Sequence, residues 1–381
     1  MIRALKAAVV ACCTWSSGAV GIFGPKEVPL FHSLKFCLSI MVAGVVLMAS
    51  ACAAAPPSSS PSKAEVKATT PAPADTLSRN WKMSVVTNES SSWTKGARLF
   101  SDLVRQRTEN KIQITVYPNA ELAGGDQVKE LAGLQDGSIN FTYHSNLLYS
   151  NLDQSFAAIS LPWLLTGLAQ VDAALAGPAG SQLLRAAEAK GIVGLAFGEN
   201  GFRQLTNSKL VVRKPDDLRG LKIRIPGVKL YNSIYEALGA SPVAMNFGEV
   251  VAALRQGQID GQENPMDIIV SSRLYDVQKY MTTWNYSYDA LILGMNKKDW
   301  DGLPKITQEI VRQAAVEASK EQVNLSREAA WTQVSLLRSQ GMTVTELTPD
   351  EVTAFRAKVA PVYAEWSPKI GEALIEQFQR R

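Results

Sequence analysis

The sequence predicts an α/β protein of two lobes with a long helix that spans both. Short strands alternate with amphipathic helices from residue 81 onward, as in parallel or mixed sheets covered by helices. Residues 132–140 (AGLQDGSIN) and 252–260 (AALRQGQID) repeat one pattern, in which a helix end and a glycine precede an isoleucine that enters a strand. Residues 305–340 contain no proline or glycine, which predicts a helix of roughly 50 Å.

The individual elements follow from the spacing of apolar residues. Residues 111–117 (KIQITVY) alternate apolar and polar with period two, and Pro118 ends this strand. The same criteria predict strands at 81–87, 111–117, 139–143, 192–197, 221–225 and 242–245, and helices at 93–108, 128–134, 181–190, 229–238 and 248–254. Two alternatives stay open. The repeated pattern could arise by chance, and the predicted long helix could instead be two shorter helices with a break near residues 324–326.

The N-terminal part predicts a secreted protein. Residues 1–52 form a predicted signal segment, because the apolar run at 37–51 is shorter than the roughly 20 residues of a membrane span. Small residues precede Cys52, as at a bacterial lipoprotein processing site, so Cys52 is a predicted lipidation site. Cleavage after Ala51 without lipidation is the alternative. Residues 53–79 are rich in Pro, Ser and Ala, which predicts a flexible tether to the membrane or, alternatively, a tail without a role.

Composition excludes several classes of function. The N-terminal segment carries most of the formal net charge of +4, and the nearly neutral remainder gives no electrostatic reason to expect nucleic acid as a partner. All four cysteines lie within residues 1–52, so the folded part has no disulfide, cysteine nucleophile or cysteine metal site. His144 is the one histidine beyond the N-terminal segment, which excludes a histidine metal cluster.

Catalytic motifs are missing from the sequence. It contains no G-x-S-x-G, H-E-x-x-H, P-loop or G-x-G-x-x-G motif. His144 could act as a base toward Ser145, but adjacent residues rarely form a nucleophile–base pair, and a hydrogen-bonding role at a strand end is favoured. We therefore expect no enzyme activity and no cofactor.

Three predicted strand ends carry donors suited to a carboxylate. Arg224 ends the strand in DLRGLKIRIP, Arg203 lies in a Gly/Asn-rich turn beyond the strand at 192–197, and Asn264 follows another strand. Ligands of α/β proteins bind where strands end, and guanidinium and amide groups donate the hydrogen bonds that a carboxylate accepts. The alternative for each residue is structural, as arginines pair with surface acids and Asn-Pro is a turn signal.

Three segments resemble a known family. They are NGFRQLTNSKLVVRKPDDLRGLKIRIPG, LGASPVAMNFGEVVAALRQGQIDGQENP and YDVQKY, and the similarity runs from about residue 81 to the C-terminus. They resemble the solute-binding proteins of TRAP transporters (DctP type). This resemblance implies a two-lobed, periplasmic-binding-protein-like fold that closes on a small organic acid in a cleft between the lobes. It also implies an extracytoplasmic location and delivery of the acid to membrane permease subunits driven by an ion gradient.

The same resemblance implies roles for particular residues. The family's selectivity arginine, which pairs with the substrate carboxylate, falls on Arg224, and its accessory arginine falls on Arg203. Its cleft asparagine falls on Asn264, and Phe247 matches a position that often lines the cleft. The sequence departs from the family at Val251, which replaces a tyrosine.

A second departure concerns the predicted cleft wall. Tyr286, beside Trp284, replaces a histidine common in the family, and an aromatic wall at this point would favour a ligand with an apolar or ring portion over a simple C4-dicarboxylate. His144 and Ser145 complete the set of predicted substrate-binding residues.

The predicted lobes are discontinuous in sequence. Lobe I comprises residues 80–200 plus about 290–330, and lobe II comprises 201–289 plus about 350–381. Hinge closure is expected at crossings near 199–203 and 286–290. A sensor that presents the bound solute to a signalling partner is the alternative function, and an enzyme that uses His144 as its base is a more remote one.

Overall fold

The computed structural model describes residues 77–380. The predicted signal segment 1–52 with its lipidation site Cys52, and the tether 53–79 except its last three residues, lie outside the described residues. No helix within the described range is long and apolar enough to cross a membrane.

One mixed sheet of ten strands forms the centre of the protein. Its strands are β1 (Arg79–Val85), β2 (Ile112–Tyr117), β3 (Phe141–Ser145), β4 (Ile192–Asn207), β5 (Lys222–Ile225), β6 (Ser241–Ala244), β7 (Gly261–Pro265), β8 (Tyr280–Thr283), β9 (Tyr288–Asn296) and β10 (Thr343–Glu346). They are ordered β2-β1-β3-β9-β4-β7-β5-β6, with β8 paired to β4 and to β10. The first three strands are parallel to one another, as are β5, β6 and β7, whereas β4 and β9 are antiparallel to their neighbours.

The long strand β4 divides this sheet into two lobes. Its first part pairs with β9, from Ile192 opposite Asn296 to Phe202 opposite Tyr288, and its last part pairs with β7 and β8. A register shift interrupts the β4–β9 pairing between Glu199 and Gly201, and Gly201 has a φ of 112°. Glycine adopts this backbone conformation without the steric cost that a Cβ imposes. The shift therefore lies within the predicted crossing at 199–203.

Helices cover both faces of the sheet. They are α1 (Ser92–Arg107), α2 (Gln127–Asp136), α3 (Asn146–Tyr149), α4 (Leu168–Ala176), α5 (Pro178–Ala189), α6 (Lys229–Ala237), α7 (Val250–Arg255), α8 (Met266–Ser271), α9 (Lys297–Asp301), α10 (Lys305–Ser339), α11 (Pro349–Ile370) and α12 (Glu372–Gln379). Side-chain caps start several of them: Ser91 caps α1 and Asp126 caps α2 by accepting backbone N–H bonds.

Helix α10 packs against both lobes, as the absence of proline and glycine predicted. It is continuous over 35 residues, so the alternative with a break near 324–326 is wrong. Val311 and Ala318 belong to the hydrophobic core around β1–β3, whereas Leu337 belongs to the core around α7 and β8. A third core, which contains α6 and α11, completes the interior.

Candidate functional site

A narrow cavity lies between the two lobes. Residues next to β1, α1 and β3 form one wall, residues at the ends of β5 and β7 and before α7 form the other, and β4 and β9 also contribute. The polar and aromatic side chains that line it are Thr87, Trp93, Gln127, Ser145, Asn200, Arg203, Arg224, Phe247, Asn264 and Asp289. The enclosed space is about 30 Å³, far smaller than the roughly 300–1,000 Å³ of typical ligand pockets. The two walls are therefore almost in contact.

Arg224 is a buried cation without a carboxylate partner. Only 2% of its surface is exposed, and its Nε and Nη2 donate to the carbonyl oxygen of Met245 at 3.0 and 2.7 Å. Among the described residues no acidic side chain lies within ion-pair distance of it, and Nη1 makes no hydrogen bond. Burial lowers the pKa of Arg224 to about 9, which leaves the guanidinium charged at neutral pH. Such a group is costly to bury unless an anion binds it.

Arg203 is equally buried but fully paired. It forms an ion pair with Glu263 through Nε and donates to the other Glu263 oxygen at 2.9 Å. Its Nη1 donates to Asp289 Oδ2 at 2.6 Å, and its Nη2 donates to Asn264 Oδ1 at 3.0 Å. Burial raises the pKa of Glu263 and Asp289, and the Arg203 charge opposes this shift. The three residues Arg203, Glu263 and Asp289, which we call the Arg203 cluster, carry two carboxylates for one cation.

The position of Arg203 differs from the prediction. The sequence places it in a turn, whereas the structure places it inside the continuous strand β4, opposite Pro265 of β7. The physical reason is that the Gly/Asn-rich segment forms the register shift at Gly201 within the β4–β9 pairing. Glycine and asparagine therefore mark a β-bulge here and not a turn.

Asp289 organises the polar side of the cavity. Ser145 donates to its Oδ1 at 2.6 Å, and Asn200 donates to its Oδ2 at 2.7 Å. Asn200 in turn accepts a bond from Trp93 Nε1 at 3.1 Å. These bonds fix the orientation of the side chains that face the cavity.

Asn264 and Phe247 line the cavity, but Asn264 lies inside β7 and not beyond a strand as the sequence predicted. Asn264 donates to Gln262 at 2.6 Å while it accepts from Arg203, so its amide is held in one orientation. The Phe247 ring stacks with the Arg224 guanidinium at 5.7 Å, which covers one face of that cation.

The predicted aromatic wall is not part of the cavity. Trp284 and Tyr286 lie in an aromatic core with Trp163 and Phe355, and neither lines the cavity. Tyr286 contacts the site only from behind, through a bond from its hydroxyl to Glu263 Oε2 at 2.8 Å. The link between β8 and β9, in which Asn285 has a φ of 46°, turns both rings toward this core. The structure therefore does not place either ring at the cavity, and the preference for a ring-bearing ligand loses the observation on which it rested.

His144 also faces away from the cavity. Its Nε2 donates to the Gln127 carbonyl at 3.0 Å and lies 3.6 Å from Glu130 Oε2, which raises the pKa of His144 against the effect of burial. Its neighbour Ser145 lies on the opposite face of β3 and lines the cavity. The structure thus keeps Ser145 and removes His144 from the candidate ligand contacts.

Several hydrogen bonds cross between the lobes around the cavity, and one of them runs from Asn151 to the Gly227 carbonyl at 3.1 Å. Asp267 Oδ2 accepts from the backbone N–H and the hydroxyl of Ser92, both at 3.0 Å. Asn88 donates to the Ser271 carbonyl at 3.0 Å. These contacts hold the walls together.

Asp289 and Glu263 are candidate site residues that the sequence reasoning missed. Asp289 is the one acid in the otherwise buried strand YDALILGMN, and an acid in such a strand signals a paired or functional role. Within residues 77–380 no group of three or more His, Cys, Asp or Glu side chains is placed to hold a metal ion.

Comparisons with known proteins agree with this fold. Residues 83–369 match the family model DctP, described as bacterial extracellular solute-binding protein, family 7. The C4-dicarboxylate-binding periplasmic protein DctP of Rhodobacter capsulatus is 33% identical over 74% of this chain and 84% of its own length.

Two solved structures superimpose closely. A TRAP periplasmic solute binding protein of Ralstonia eutropha with bound (S)-2-acetolactate is 39% identical, with a TM-score of 0.76 over 79% of this chain and 97% of its own. The sugar acid binding protein of Advenella mimigardefordensis in complex with galactonate is 30% identical, with a TM-score of 0.77 over 80% of this chain and 98% of its own. The predicted two-lobed α/β architecture is confirmed.

Proposed function

Since the chain belongs to the bacterial extracellular solute-binding proteins of family 7, the solute-binding proteins of TRAP transporters, we propose that it binds a small organic acid between its lobes and delivers it to a TRAP permease. In this proposal the acid binds through its carboxylate to Arg224.

The observation that carries the proposal is the unpaired charge of Arg224. Nη1 and the second Nη2 hydrogen are free of protein partners, and a planar guanidinium offers such a pair of donors to both oxygens of one carboxylate. A charge-assisted bond contributes about 1.5–3 kcal/mol. Because Arg224 is buried and charged, it would select carboxylates over neutral solutes.

Arg203 has a different role in this proposal. Its charge is already paired with Glu263 and Asp289, and at most one hydrogen of its Nη1 is free, so Arg203 positions the cavity walls and is not the main partner of the carboxylate. Ser145, Asn264 and Phe247 complete the ligand contacts.

Binding requires the lobes to open. A space of about 30 Å³ does not hold an acid such as galactonate, so the ligand enters when the walls separate, and they close again around it. The register shift in β4 at Gly201 and the link between β8 and β9 are the points at which the strands can bend. The Asp267–Ser92 bond would re-form in the closed state.

The location follows from the family, which is extracytoplasmic. We propose in addition that Cys52 carries a lipid that attaches the protein to a membrane through the tether. Mass spectrometry of the mature N-terminus tests this, since a lipidated Cys52 gives a diacyl or triacyl mass increment that a Cys52→Ser variant lacks.

Calorimetric titration tests the carboxylate proposal. We expect protein stripped of ligand by unfolding and refolding to bind at least one of 2-acetolactate, galactonate and succinate with a Kd on the order of 1 μM. The Arg224→Met variant should bind each of them more weakly, by about two to four orders of magnitude in Kd. Recovery of the acid chemically unchanged would separate binding from an enzyme reaction, and acid binding that persists with wild-type affinity in the variant would refute the proposal.

A further inference from the structure

The charged side chains that line the cavity, together with Glu263 behind Arg203, sum to zero before a ligand enters. Arg203, Arg224 and Asp289 are the charged side chains among the described residues that line the cavity, and Glu263 lies directly behind Arg203. All four are nearly inaccessible to water. Two cations and two carboxylates sum to zero, so each ligand carboxylate adds one uncompensated negative charge.

Only one of the two cations is free to bind a ligand. The carboxylates of the Arg203 cluster occupy Arg203, which leaves its Nη1 with at most one free hydrogen. A first ligand carboxylate pairs with Arg224. A second carboxylate finds no free cation, and like charges in a buried site repel strongly.

The balance favours one carboxylate in either protonation state of Asp289. Burial raises the pKa of Asp289, and an ionised Asp289 leaves a net charge of −1 with a monocarboxylate and −2 with a dicarboxylate. If Asp289 is protonated, the corresponding net charges are 0 and −1. The monocarboxylate complex is closer to neutral in both cases.

The polar side of the cavity suits a hydroxyl group. Asp289 Oδ1 accepts one bond, from Ser145, and keeps capacity for a second, whereas Oδ2 already accepts bonds from Asn200 and Arg203. Asn200 has a second amide hydrogen. A hydroxyl both donates and accepts, so it can bond to Asp289 and Asn200 at once. An ionised carboxylate cannot donate to Asp289.

From this arrangement we infer that the preferred ligand is a monocarboxylate with a hydroxyl at its far end, and that Asp289 is the residue that excludes dicarboxylates. This inference rests on the proposed function, because it presumes that Arg224 binds the first carboxylate.

Three pairs of acids that differ only in the far group test the inference by calorimetry. They are erythronate and meso-tartrate, galactonate and galactarate, and 4-hydroxybutyrate and succinate. We expect the monocarboxylate of the tightest-binding pair to bind at least about tenfold more tightly than its dicarboxylate. The Asp289→Asn variant removes one negative charge with little change of shape and should bring the two affinities within about threefold. Glu130→Gln, which alters a buried carboxylate outside the cavity, should leave the preference unchanged.

The outcomes separate the two proposals. The inference is overturned if a dicarboxylate binds the wild-type protein as tightly as the monocarboxylate of the same pair. If Arg224→Met also loses binding, the carboxylate proposal stays intact. An unchanged preference in folded Asp289→Asn protein overturns the role of Asp289. Failure of all six acids and of 2-acetolactate to bind overturns both proposals. The wild-type comparison remains decisive if Asp289→Asn does not fold.

Discussion

Replacing the two buried arginines one at a time by methionine should affect two different properties, stability and ligand binding. Both side chains are 2% exposed, and methionine fills a similar volume without charge. Arg203 is paired with two carboxylates, whereas Arg224 is bonded only to the Met245 carbonyl. We therefore expect Arg203→Met to impair folding and Arg224→Met to impair binding.

The contacts set the size of each effect. Arg203→Met leaves Glu263 and Asp289 buried without a cation, which costs about 3–5 kcal/mol and lowers Tm by roughly 5–10 °C for a body of this size. In Arg224→Met the loss of the bonds to Met245 is offset by removal of an unpaired buried charge, so the free energy of unfolding should change by no more than about 1 kcal/mol. Loss of two charge-assisted bonds to a carboxylate weakens binding by about 3–5 kcal/mol, or two to four orders of magnitude in Kd.

Thermal unfolding without ligand and calorimetry with an acid measure the two quantities separately. The reasoning is refuted if Arg224→Met unfolds as early as Arg203→Met, because Arg224 would then have a structural partner. It is equally refuted if Arg224→Met binds acids with wild-type affinity.

Three further predictions follow from other contacts. Asp267→Ala removes both bonds across the cleft to Ser92, so stopped-flow measurement should show ligand dissociation faster by about tenfold. Carboxylate affinity should stay constant between about pH 6 and 8, because burial lowers the pKa of Arg224 but an arginine guanidinium stays protonated in this range. Calorimetry over a pH series measures this. Gly201→Ala places a Cβ on backbone with a φ of 112° and should destabilise the protein by about 1–3 kcal/mol in urea unfolding. The control Gly227→Ala, at ordinary φ and in open space, should change stability little.

Each of these has a contrary outcome. Unchanged dissociation in Asp267→Ala would show that the bonds to Ser92 do not hold the closed state. An affinity that falls between about pH 6 and 8 would point to a different titrating group. Equal stability of the two glycine variants would remove the strain attributed to the β4 register shift.

The sequence predicts the elements better than the directions of side chains. Period-two alternation places β2 correctly, and the absence of proline and glycine places α10 correctly. Strand β9 escapes prediction because its continuously apolar run, buried on both faces, lacks the alternation of a half-exposed strand. The length of β4 is also missed, since only its pairing with β7 and β9 shows that the glycines near residue 200 do not end it.

Within the site, the limit of prediction is the choice of face. His144 and Ser145 are adjacent and both buried, so composition cannot decide which of the two faces the ligand. Trp284 and Tyr286 lie in the irregular link between β8 and β9, whose direction depends on tertiary packing. Arg224, at the end of a strand with a clear pattern, could be assigned to the cavity from sequence alone. The exact boundaries of the two lobes remain a prediction.

A thermal-shift comparison of one acid with its primary amide tests the central claim most directly. Galactonate and galactonamide have the same size and hydroxyls and differ in the charge that Arg224 is proposed to bind. At 100 times its Kd, galactonate should stabilise the protein by about 2.7 kcal/mol, which raises Tm by roughly 5 °C. If galactonate is not a ligand, another acid of the calorimetric panel that binds is compared with its own amide. The amide should give no shift. An equal shift with acid and amide would contradict carboxylate recognition by Arg224.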